Sequence, residues 1–143
     1  MNPIPQQFLI AGTVLFLLSL LIGFAIPALA NPRMGVSVHV AGMQSGMALW
    51  AFGLMWQYVA LPEGTQRAAQ VLAVLGLYAI FASILLAALW GASRSLPIAG
   101  TGHQASAARE LVVTGLIASG SIAITIATIM VLWGLLAWKT SHY

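Results

Sequence analysis

With 143 residues, 61% of them hydrophobic and only 5% charged, the chain lies far from soluble domains, in which roughly a quarter of residues carry charge. Its net charge of +3 comes from five basic residues scattered through loops and ends, too sparse for a nucleic-acid surface. The absence of cysteine excludes disulfides, thiolate chemistry, iron–sulfur clusters and cysteine-type zinc sites, so any metal must rest on histidine, carboxylate or backbone.

The apolar segments divide into four, at about 8–29, 33–60, 67–92 and 107–138, each long enough for a hydrocarbon core that takes roughly 20 helical residues to cross. The expected fold is an all-α integral membrane protein, a single domain over residues 1–143. Two short connections and one longer one make it an antiparallel four-transmembrane-helix bundle.

Met1 to Pro5 reads as a non-helical lead, because two prolines so close together remove backbone donors. Phe8 to Leu29 is the first span. Its rival reading is a signal peptide ending at Ala28-Leu29-Ala30, against which stands the lack of Lys or Arg before the apolar run. Asn31-Pro32 then reads as an N-cap followed by proline at the first helical position. Trp56 and Tyr58, at the far end of the second span, are expected to be interfacial anchors.

After the short turn around Glu63 comes the third span, and then the longest connection, Ser93 to Ala105, with the glycines and polar residues of a lid or interfacial cap. Ser106 is a candidate cap for the fourth span, and 139–143 form a polar tail. Arg33, Arg94 and Arg109 face one side against Arg67 and Lys139 on the other. That margin leans towards a cytoplasmic long loop.

The second span carries the chemistry. His39 stands seven residues into its helix, about 10 Å from that end at 1.5 Å per residue, and an ionisable side chain at such depth is by default a functional-site hypothesis. Gly35, Gly42, Met43, Gly46 and Trp50 share its face. Gly42 and Gly46 are either a small-residue helix contact or a bare strip on which a macrocycle could lie, its iron bound by the imidazole. No second histidine occurs at membrane depth, since His103 is in the loop and His142 in the tail. A haem on His39 would therefore have one protein ligand and an exchangeable sixth position.

Gln44 and Ser45 on the second span and Tyr78 and Ser83 on the third fall at related levels and are candidates to converge with the imidazole. Gln44 in hydrocarbon is expected to bond another helix. Thr114, Ser121, Thr125 and Thr128 form a stripe of hydroxyls at helical spacing, read as packing glue or a protomer interface. No carboxylate lies deep inside a span, Glu110 standing at the start of the fourth, which argues against ion-coupled transport and paired-carboxylate catalysis.

Asn31-Pro32-Arg33-Met34, then His39, Ser45-Gly46-Met47, Trp90-Gly91-Ala92 and Leu96 to Gly100 resemble the hydroxylaminobenzene mutase family and, more distantly, the styrene oxide isomerases. The likeness covers the second span through the long loop. It implies a redox-neutral rearrangement, of an arylhydroxylamine to an aminophenol or of an aryl epoxide to a carbonyl, in the degradation of aromatic compounds. It further implies a ferric haem b acting as Lewis acid, with His39 as its axial ligand and Gly42 and Gly46 beside it. The protein is then a homotrimer in the cell inner membrane, taking a small hydrophobic aromatic substrate from the bilayer, with Tyr78, Ser45, Ser83 and Gln44 as catalytic candidates. Two positions depart from the family pattern. Ser45 and Ser83 stand where asparagine is expected, and a serine has a shorter reach and lacks the carboxamide's donor pair. The alternatives are a non-catalytic haem- or quinone-associated subunit of a larger complex, and a structural membrane protein in which His39 merely bonds a neighbouring helix.

Overall fold

A computed structural model describes residues 2–140, with side chains to 138. It contains four helices: α1 (Ile4–Ala25), α2 (Pro32–Met55), α3 (Glu63–Trp90) and α4 (Ala107–Thr140). Single turns of 3-10 helix follow α1, at Ile26–Ala28, and α2, at Trp56–Tyr58. The expected lead before the first span is in fact helical from Ile4. Pro5 falls in the first turn, where a missing N–H is no loss, and Asn2 Oδ1 accepts the Ile4 N–H at 3.0 Å. His142 and the end of the tail lie outside the described residues.

The bundle is two antiparallel hairpins pressed together. α1 and α2 cross where Gly12 and Gly46 face each other. A Cβ on Gly12 would lie 2.7 Å from the Gly46 carbonyl oxygen, and one on Gly46 would lie 2.8 Å from that of Gly12. α3 and α4 cross in the same way at Gly76 and Gly120, with corresponding distances of 2.9 and 2.7 Å. Small residues let backbones approach closely where lipid offers no hydrophobic drive for association. The hairpins meet mainly through α2 and α3, where the Phe81 ring fills the notch at Gly42.

Among the described residues α1 with its 3-10 extension, α3 and α4 are long and apolar enough to cross a membrane. α2 has the length, at 24 residues, but four glycines, two serines, His39 and Gln44 dilute its hydropathy. It enters the bundle by packing against α1 along most of its course.

Trp56 is not an anchor at the lipid surface. It is 3% exposed, packs tilted with its ring centroid 5.0 Å from that of Phe8 and donates its Nε1–H to Gln66. Tyr58 is exposed and meets Trp138 edge-on.

Candidate functional site

Asn31 sets the entrance to α2. Its Oδ1 accepts the Met34 N–H, its Nδ2 donates to the Ala99 carbonyl at 2.9 Å, and its own N–H donates to Ala88 O at 3.0 Å. One residue therefore caps α2 and ties it to both α3, through its backbone, and the long loop, through its side chain. The same loop is held on its other flank by Glu110, 4% exposed, which accepts the backbone N–H groups of Ser93 and Arg94 at 2.9 and 3.1 Å. The Ser95 and Thr114 hydroxyls are 2.6 Å apart. His103 Nε2 lies 3.2 Å from the Ala30 carbonyl, and α3 ends at Gly91 in the left-handed conformation, φ 71°, which only glycine adopts without strain. The loop expected as a lid or cap is a fixed cap over this end of the bundle. Ser106 contributes its carbonyl, which accepts the Glu110 N–H.

Beneath that cap, His39 and Ser19 bond reciprocally. His39 Nδ1 lies 2.8 Å from the Ser19 carbonyl oxygen, and the Ser19 hydroxyl donates to the His39 carbonyl. A carbonyl only accepts, so Nδ1 carries the hydrogen, which in a neutral imidazole leaves the lone pair on Nε2. No hydrogen bond reaches Nε2 among the described residues, and none of their buried side-chain nitrogens lacks a partner. Nε2 of this half-buried ring is therefore not sealed within the bundle.

The other candidates are placed elsewhere. Ser83 is fully buried and donates to the Val113 carbonyl of α4 at 2.8 Å. Tyr78 donates to the Ala11 carbonyl of α1 at 2.9 Å, eight residues before Ser19 and so about 12 Å along the helix from the His39 contact. The expected convergence of Tyr78 and Ser83 with the imidazole is not seen, because each hydroxyl takes the nearest helix carbonyl instead. Ser45 is buried at 7% exposure and, like Gln44, makes no hydrogen bond among the described residues. Gln44 is exposed on the outer arc of α2 and bonds no helix of its own bundle, contrary to expectation.

The glycine strip is also occupied. A Cβ on Gly42 would lie 2.7 Å from the Phe81 ring and 2.8 Å from Ser19 Cβ, and one on Gly46 would strike Gly12 and Phe16. Both glycines are consumed by helix packing, so neither offers an open bed for a macrocycle. In the hydroxyl stripe of α4, Thr125 and Thr128 bond back to the carbonyls of Ser121 and Ile124, and Thr114 bonds Ser95. Sequence reasoning missed Ser19 and Gly23, both on α1. Their signal was a hydroxyl and a glycine four residues apart in an otherwise bulky aliphatic run.

Four antiparallel helices, three of them long and apolar enough to cross a membrane, with the His39 imidazole near a capped end, define a small helical membrane protein. The chain belongs to the styrene oxide isomerase family, whose pattern it matches over residues 4–136. It is similar to hydroxylaminobenzene mutase HabB of Ectopseudomonas oleovorans, 43% identical over 93% of this chain and 82% of that one. Hydroxylaminobenzene mutase HabA of the same organism is 44% identical over 92% and 98%. No solved structure matches. The protein is accordingly an isomerase or mutase that works within one substrate molecule.

Proposed function

We propose that the chain is a multi-pass enzyme of the cell inner membrane that rearranges a small aromatic hydroxylamine to an aminophenol, with an aryl epoxide as the second substrate class. The observation that carries the reading is the imidazole of His39, held by Ser19 at Nδ1 and unpartnered at Nε2. A lone pair left bare in hydrocarbon forgoes the hydrogen bond that water would give it, so the position calls for a ligand. The described residues contain no group of three or more His, Cys, Asp or Glu side chains that could cage a bare ion. A haem needs only one such donor, because the macrocycle supplies the rest.

His39 would hold that haem through Nε2. When bound, ferric haem supplies a Lewis acid able to polarise an N–O or C–O bond. The chain's own residues orient and exclude. The Ser19 carbonyl keeps the ring in one tautomer, and the exposed Val36, Val40 and Met47 beside it on α2 offer an aromatic substrate an apolar approach from the bilayer. Water kept from such a site strengthens every electrostatic contact within it.

Nε2 and the Gln44 carboxamide both face outward, and polar groups on a lipid-facing arc are satisfied across helices when copies associate. This supports a homo-oligomer, and the family resemblance points to a trimer. The test is an absorption spectrum of the detergent-purified protein beside turnover of phenylhydroxylamine and styrene oxide. The expected result is a Soret band and turnover, both lost in His39→Ala. A wild-type protein that stays colourless after reconstitution with haem defeats the cofactor, and one that turns over neither compound defeats the substrate assignment.

A further inference from the structure

We propose that α1 is the positioning element of the site, through the backbone carbonyl of Ser19 and the missing side chain of Gly23. The inference rests on the reading of His39 as a haem ligand and assigns the residues that aim it.

The two helices leave the ring little choice of place. Gly42 of α2 is packed against Ser19 Cβ, which fixes the level at which α1 passes His39. There the Ser19 carbonyl, although part of the α1 backbone, accepts the imidazole Nδ1–H at 2.8 Å. One turn further along α1, Gly23 lies directly under the ring. A Cβ there would sit 2.9 Å from Nδ1 and 3.0 Å from Cε1, closer than real Cβ contacts allow. Any residue but glycine would lift the imidazole off α1 and stretch the bond that fixes its tautomer. The Ser19 hydroxyl, bonded to the His39 carbonyl, locks the two backbones in that register. A ligand histidine whose other nitrogen donates to a carbonyl is held in orientation and made more basic, and loss of such a partner typically weakens binding by about 10- to 100-fold.

Gly23→Ala separates positioning from folding. The atoms met are the ring of a single side chain that can swing away, not backbone, and alanine is the better helix former. The variant is expected to keep wild-type helicity and melting temperature by circular dichroism. Its haem affinity, titrated by absorbance, should fall by about 10- to 100-fold, with a shifted Soret band and altered ferric electron-paramagnetic-resonance signals. Gly115→Ala, at a glycine on α4 with open space around it, is the control and should change neither.

A second measurement needs no variant. Nitrogen-15 NMR of His39 in the haem-free chain in lipid nanodiscs should show the hydrogen on Nδ1, and a hydrogen on Nε2 would overturn the proposal. Unchanged haem affinity and spectrum in Gly23→Ala would also overturn it, while leaving the haem reading intact as long as His39→Ala is colourless. A coloured His39→Ala sinks the haem reading itself, whatever the tautomer.

Discussion

Replacing Glu110 by alanine should release the long loop from α4 without unfolding the bundle. Both carboxylate oxygens accept backbone N–H groups, those of Ser93 and Arg94, and hydrogen bonds to a charged group contribute about 1.5–3 kcal/mol each. Ser93 is half-buried and Arg94 exposed, so their amides recover water on release, and the low end applies. Two such bonds give about 3 kcal/mol, or roughly 100-fold in the opening equilibrium at 1.4 kcal/mol per tenfold. Hydrogen–deuterium exchange of the whole protein in nanodiscs should show the amides of residues 93 and 94 exchanging about 100-fold faster in Glu110→Ala, with α2 and α3 unchanged. Glu110→Gln keeps an acceptor for one of the two and should fall between. Equal protection in wild type and Glu110→Ala would refute the reasoning, since the loop would then be held by its other ties alone.

Gly76→Ala would set a Cβ 2.9 Å from Gly120 O and Ile124 N. Both are backbone atoms that cannot swing aside, so the bundle should lose about 1–3 kcal/mol in an SDS unfolding titration. Asn31→Ala removes the α2 cap and the bond to Ala99, and at about 1 kcal/mol each it should lower the melting temperature in detergent. Gln44→Leu should leave the monomer's stability unchanged and weaken self-association by about 0.6–1.7 kcal/mol per lost bond, read as a shift towards monomer in analytical ultracentrifugation. An unaltered distribution there would place Gln44 outside any interface.

What the sequence discloses is what local chemistry decides. The N-cap at Asn31, the proline after it, the approximate bounds of four apolar helices and the singular status of His39 all follow from patterns a few residues long. What it hides depends on register between helices. Ser19 meets His39 because Gly12 and Gly46 let α1 and α2 cross at one particular level, and nothing within either helix announces that level. Gly42 and Gly46 looked like open ground beside the imidazole, yet the small size that would admit a macrocycle equally admits Phe81 and α1, and the neighbouring helices arrive first. Trp56 had the composition of an anchor, but Phe8 on another helix gives its ring a place inside. Tyr78 and Ser83 lie on the helix expected, but each hydroxyl went to a nearby carbonyl, which no spacing rule specifies.

The dilute hydropathy of α2 bears on how the protein reaches its membrane. A segment carrying an imidazole, a carboxamide and four glycines gains too little from lipid to partition there readily alone, because each polar side chain offsets the transfer of several aliphatic ones. α1, whose 22 residues carry no charge, lies next to it across a short turn and offers the apolar bulk that α2 lacks. The two pack as one hairpin, and the bonds between Ser19 and His39 lie within it. His39 is thus held in place by a helix that carries no charge, whose aliphatic bulk offsets the polar groups of its partner.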